Sequence, residues 1–380
     1  MQVFDFFIPS HLKFGIDSLN RIGSVVSSVG NKVFLVTENE LLSGKIISRI
    51  QTLLAERNCE VILYDIPAKI FSLNTNVIDK GALLARASYC DVIVGVGGMR
   101  TLSVAKAIAM LIKNTKSIND YIDGESIKEE SIPYIEVPTE SKNPFMFRND
   151  FIITDVRTRK LCILKAINGQ PCNVIYDPTV ISDDNLSQIM MNNLANAIEG
   201  YLSTNSNFLS DMMFLKAIEM QAKYIVSAVK DKDSDSALFL SLSGLMTSLG
   251  LSMASIGIVG TVSEVIEQKM QSKNMGVASA LLPYVIEFCI PSSAEKLARI
   301  GAAMGINVES KTMLDVAVKV IEFVKKLAED LELPGKLSEF SIKTDDLIGI
   351  ADSAVKIDGM NYLPRICNSE ELYNILQLAF

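Results

Sequence analysis

Through its first 180 residues the chain alternates short β-branched runs with amphipathic stretches, and this alternation restricts its fold more than any other feature. Val33-Phe34-Leu35-Val36, Val61-Ile62-Leu63-Tyr64 and Val92-Ile93-Val94 are closed by polar or glycine turns, while 44–56 and 76–88 carry apolar residues at helical spacing. Parallel strands require a long crossover, usually a helix, so this order dictates a parallel sheet with helices on both faces. Ile132-Pro133-Tyr134-Ile135-Glu136-Val137 adds a strand, and 151–154 with 161–164, joined by the polar Asp155–Lys160, reads as a hairpin. Past Asp177-Pro178 the period becomes helical, with helices expected near 183–203, 210–229, 237–256, 275–289, 294–304, 311–331, 344–354 and 368–379. The chain therefore reads as an α/β domain over residues 1–180 and an all-helical domain over 181–380.

From Ser236 to Ser263 no residue carries a charge, which by length alone would suggest a membrane span. Its Ser, Gly and Ala content instead suits a helix buried on all sides within a helical domain. The start, Met1 to Pro9, lacks a basic segment followed by a long apolar one, so no signal peptide is expected. Cys59, Cys90, Cys162, Cys172, Cys289 and Cys367 are scattered without a C-x-x-C pair, as expected of buried thiols in a reducing cytoplasm. A net charge of −8 without a basic block argues against nucleic acid as a partner. The sequence holds one His, His11, which rules out three-His metal sites within one chain.

The strand at Asp91–Val94 runs into Gly95-Val96-Gly97-Gly98-Met99-Arg100 and then a helix containing Ser103 and Lys106. Glycines at such a turn let backbone approach a phosphate, whose charge the helix's first N–H groups can hold. A tight-turn role would also account for them. Arg100 in the first helical turn opposes the helix dipole unless an anion compensates.

With these motifs in place, the chain resembles the iron-containing (group III) alcohol dehydrogenases, relatives of glycerol dehydrogenase and dehydroquinate synthase. The resemblance is carried by 8–15, Leu35-Val36-Thr37-Glu38, Cys90 to Gly98 with Ala105-Lys106, Pro138-Thr139, Ile153-Thr154-Asp155 and Asp177-Pro178. It continues through Ala197-Ile198-Glu199-Gly200-Tyr201, 280–285 and Leu363-Pro364-Arg365. It implies a Rossmann-like amino-terminal domain and a helical carboxy-terminal one, with NAD or NADP on the glycine turn. It also implies a divalent metal, in the cleft between domains, polarising an alcohol oxygen.

The family's metal is held by one Asp and three His. Those positions fall on Asn192, Asn196, Val265 and Met275. Two amides, a valine and a thioether offer iron or zinc almost nothing, so no metal is expected. Glu264 and Glu267 flank Val265, but adjacent helical positions turn about 100° apart, which aims Glu264 elsewhere. The cofactor motif departs too. Met99 and Arg100 stand for a glycine and a serine, Ser103 for an aspartate, and Glu140-Ser141-Lys142-Asn143-Pro144-Phe145-Met146 for a small polar run.

By this resemblance the cofactor set is Glu38, Gly95, Gly97, Gly98, Met99, Arg100, Ser103, Lys106 and Thr139, with Glu38 favouring NAD over NADP. Without a metal, Tyr201, Lys142 or Lys106 would have to supply an acid or base. Three roles remain open: an oxidoreductase of alcohols and aldehydes, a non-catalytic relative binding a nucleotide or phosphorylated small molecule, and a purely structural protein. The resemblance also implies a homo-oligomer.

Overall fold

The protein is described from a computed structural model covering residues 4, 6–66, 73–182, 184–273 and 275–380. Part of the 1–9 segment, and Asp183 at the start of the first expected carboxy-terminal helix, lie outside the described residues. The chain forms two compact units, one of Phe7–Ser182 and one of Met1–Phe6 with Asp183–Phe380, so the first six residues fall with the carboxy-terminal unit and not in the α/β domain expected over 1–180.

The first unit is a six-stranded parallel sheet. Its strands are β1 (His11–Phe14), β2 (Lys32–Glu38), β3 (Glu60–Ile66), β4 (Val92–Gly97), β5 (Tyr134–Pro138) and β8 (Asn173–Tyr176), in the order β1-β8-β5-β4-β2-β3. Every pairing is parallel. An antiparallel hairpin of β6 (Asp150–Asp155) and β7 (Lys160–Lys165) stands apart, with Ile153 opposite Cys162.

Helices α1 (Ile22–Ser27), α2 (Lys45–Ala55), α3 (Thr75–Ala87), α4 (Met99–Leu111) and α5 (Ile118–Ile122) complete this unit. Alternation along β2 separates two cores. Val33 and Leu35 join Ile22, Ile50, Leu54, Val94 and Val137 on one face, while Phe34 and Val36 join Ile78, Ile93, Val104 and Ile108 on the other. Strand side chains point to opposite faces, so apolar runs with no polar alternation are what a sheet covered twice requires. The carboxylate of Asp177, just past β8, accepts N–H groups from Leu19 at 3.0 Å and Thr179 at 3.0 Å.

From β2 the chain passes to β3 on one side and then crosses to β4 on the other. The strand order therefore reverses between β2 and β4. In open α/β sheets this is where ligands collect, beyond the carboxyl ends of the strands. Glu38 ends β2 and Gly97 ends β4.

The second unit is helical. Its helices are α6 (Leu186–Leu202), α7 (Phe208–Lys230), α8 (Ser234–Leu251), α9 (Ile258–Met270), α10 (Ala278–Ala303), α11 (Met313–Asp330), α12 (Asp346–Ala354) and α13 (Ser369–Ala379). Two details differ from the sequence expectation. The uncharged run contains the end of one helix and the start of another, α8 and α9, and α9 was not anticipated. The helices expected at 275–289 and 294–304 form one run with a kink, where Ser293 leaves helical geometry (φ −141°, ψ 20°) two residues after Pro291. Among the described residues no helix is long and apolar enough to cross a membrane.

Candidate nucleotide and metal sites

The glycine turn sits at the reversal point. Gly97 has φ +152° and Gly98 caps α4, whose thirteen residues from Met99 to Leu111 are all buried. Gly95 serves packing: a Cβ there would lie 2.9 Å from the Ala105 Cβ and 3.1 Å from the Tyr134 hydroxyl. Thr139 follows β5, and its N–H donates to the Gly97 carbonyl at 3.0 Å.

The Glu38 carboxylate turns onto the start of α4. Its Oε1 accepts the Thr101 hydroxyl at 2.7 Å and the Gly98 N–H at 3.4 Å. A carboxylate of the chain itself thus sits at the positive end of the helix, in whose first turn Arg100 lies. A second carboxylate, Glu140, lies against Gly98. Met99 and Arg100 are buried in the first turn of the helix. Ser103 faces the hairpin, where its hydroxyl accepts the Ile152 N–H at 3.4 Å.

Lys106 is 2% exposed, and its ammonium donates to the carbonyls of Phe145 at 2.7 Å, Arg148 at 2.9 Å and Asp150 at 3.4 Å. It pins the segment in which Phe145, Met146 and Phe147 are buried. Burial pulls its pKa down to about 8, against the opposing pull of Glu136. Sequence reasoning passed over Glu136. It is fully buried on β5, its Oε1 accepts the Asn143 amide at 2.5 Å, and burial raises its pKa to about 7. A carboxylate inside the apolar run Ile135-Glu136-Val137 was the available signal. Lys142 is buried and has partners of its own. His11 lies on the edge strand β1, separated from β4 by β8 and β5.

In the helical unit, Asn192 and Asn196 lie on α6, Val265 on α9 and Met275 shortly before α10. Asn192 Oδ1 accepts the Ala278 N–H at 3.3 Å, while its amide Nδ2 and Asn196 Oδ1 are buried without hydrogen-bond partners. Asn196 Oδ1 packs against Gly260, where a Cβ would come within 2.6 Å. The Met275 N–H donates to Glu267 at 3.2 Å. Glu199 is used as a cap: its two oxygens accept N–H groups from Val259 at 2.7 Å and Gly260 at 3.0 Å, and burial raises its pKa to about 7. Tyr201 is buried; its carbonyl accepts the Lys296 ammonium at 2.6 Å, and that ammonium lies 5.0 Å above its ring.

One neutral amide oxygen without a partner, one already bonded, a valine and a thioether do not make a transition-metal donor set. Among the described residues no group of three or more His, Cys, Asp or Glu side chains could hold a metal. These residues do not fit the ion implied by the resemblance.

Comparison with known proteins fixes the lineage. Residues 9–178 match the family described as iron-containing alcohol dehydrogenase, and residues 187–380 match its carboxy-terminal domain. The chain belongs to the iron-containing alcohol dehydrogenase family. Its relatives in that family include the 1,3-propanediol dehydrogenase of Klebsiella pneumoniae, 26% identical over 100% of this chain and 99% of the relative. The choline dehydrogenase of Bacillus subtilis is 27% identical over 98% and 94%. A crystal structure of 1,3-propanediol oxidoreductase superposes with a TM-score of 0.93 over 100% of both chains at 24% identity, which establishes the shared fold.

Proposed function

We propose that this protein is a member of the iron-containing alcohol dehydrogenase family that does not carry out metal-dependent alcohol oxidation, and acts as a non-catalytic binding or partner subunit. One inference supports the reading: by the resemblance, the family's ligand positions fall on Asn192, Asn196, Val265 and Met275, whose side chains are two amides, a valine and a thioether. A divalent ion must recover, from its ligands, the free energy lost when water is stripped from it. Carboxylate and imidazole supply that, and neutral amides with a thioether do not. Glu199, the acid on α6, is engaged by the start of α9, with both of its oxygens accepting backbone N–H groups. A second reading, a nicotinamide-dependent oxidoreductase acting on small alcohols, is favoured by relatives named 1,3-propanediol dehydrogenase and lactaldehyde reductase.

Elemental analysis together with an activity assay separates the two. Protein loaded with ferrous iron or zinc and then desalted is expected to retain far less than one equivalent. It is also expected to reduce no NAD with 1,3-propanediol or methanol. Stoichiometric iron or zinc, or NADH formation dependent on the alcohol, would overturn the proposal.

A further inference from the structure

We infer that the start of α4 is closed to a dinucleotide pyrophosphate by two carboxylates of the chain itself, Glu38 and Glu140, and that Glu140 is the residue deciding against phosphorylated ligands. This inference concerns the glycine turn alone and stands whether or not the chain binds a metal.

A strand–glycine–helix turn receives phosphate because a missing Cβ lets the anion reach free N–H groups at the helix start. Here both requirements are already met from within. Glu38, only 7% exposed, accepts the Gly98 N–H and the Thr101 hydroxyl, so an internal anion already occupies the positive end of α4. Glu140 takes the room that Gly98 leaves. A Cβ on Gly98 would meet Glu140 Oε1 at 2.5 Å, its carboxyl carbon at 2.6 Å and Oε2 at 2.7 Å.

The backbone holds Glu140 there. Gly97 pairs with Pro138 in the sheet, and the Thr139 N–H bonds back to the Gly97 carbonyl, which places the next residue over the turn. A pyrophosphate brought to this seat would have to displace the Glu140 carboxylate and compete with Glu38 for the Gly98 N–H. A ligand of this turn would have to be free of phosphate.

Calorimetric titration of the whole chain with NAD, ADP and adenosine tests the assignment. The wild type is expected to show no binding of NAD or ADP up to about 1 mM. Glu140→Gly is expected to gain at least tenfold in affinity for both, and Glu140→Gln, which keeps the bulk and removes the charge, to gain less. Micromolar NAD binding by the wild type overturns the inference. So does silence in both Glu140→Gly and the Glu38→Gln/Glu140→Gly double variant, once melting curves show that each is folded.

A ligand-free readout runs alongside. Gly98→Ala should lower the melting temperature of the wild type by displacing the Glu140 carboxylate, and lower it less in the Glu140→Gly background. Equal losses in the two backgrounds would show that Glu140 does not fill that space.

Discussion

Glu136 and Lys106 form a buried pair of opposite charge behind the glycine turn, and each is held away from its ordinary pKa by burial. A carboxyl whose folded pKa is raised, here from 4.5 to about 7, favours the folded state fully below 4.5. That contribution is lost as pH rises towards 7, because the unfolded chain releases the proton first. Lys106 is lowered from 10.5 to about 8, so its burial weighs against the fold as pH falls through that interval. We expect the wild type to lose melting temperature between pH 4.5 and 7 relative to Glu136→Gln, which keeps the side-chain volume. Melting curves that stay parallel across this range would refute the assignment to Glu136. Residue identity marked the pair only weakly: a glutamate in an apolar strand can be seen in the sequence, but its neighbours Lys106 and Asn143 cannot.

At the scale of elements, β2 to β7 and most of the longer helices were legible because each has its own periodicity, whereas the four-residue strands β1 and β8, the short helices α1 and α5, and α9 were not. The uncharged Ser236–Ser263 run offers no local stop signal, so an expected helix at 237–256 ran past the true end of α8 at Leu251. The start of α9 is set instead by Glu199, about sixty residues earlier, whose oxygens hold the Val259 and Gly260 N–H groups. A cap supplied from another helix leaves no nearby sequence mark.

The small residues in α8 have a clearer role. Phe214 on α7 is fully buried, and a Cβ at Gly250 would approach its ring to 2.6 Å at Cε1 and 2.7 Å at Cζ. Gly250→Ala should therefore destabilise the chain by about 1–3 kcal/mol through overpacking. Phe214→Leu should recover part of that loss in the double variant, because contacting sites couple. Denaturant unfolding checks both; strictly additive losses would rule out the packing explanation.

For the whole molecule, the parallel sheet and the change to helices were readable, and so was the glycine turn at the end of a strand, but the order of strands in the sheet was not. The orientation of Glu38 and Glu140 onto Gly98 was not, because a carboxylate's target depends on backbone register between strands distant in sequence. The positions that the resemblance assigns to the metal are a different case, since there residue identity alone would carry the chemistry while the fold is shared with the family. If only the donors have changed, restoring them should restore the site. Asn192→Asp, Asn196→His, Val265→His and Met275→His combined supply one carboxylate and three imidazoles on α6, α9 and the segment before α10. That variant is expected to retain about one zinc or iron per chain after desalting, the coordination of a single four-ligand site. It should also melt higher with metal than without, by about 2.7 kcal/mol of added stability when free metal is a hundredfold above its dissociation constant. The three-change variant that leaves Asn196 in place should bind far more weakly. A folded four-change variant that stays free of metal would mean that the backbone around these positions has shifted along with their side chains.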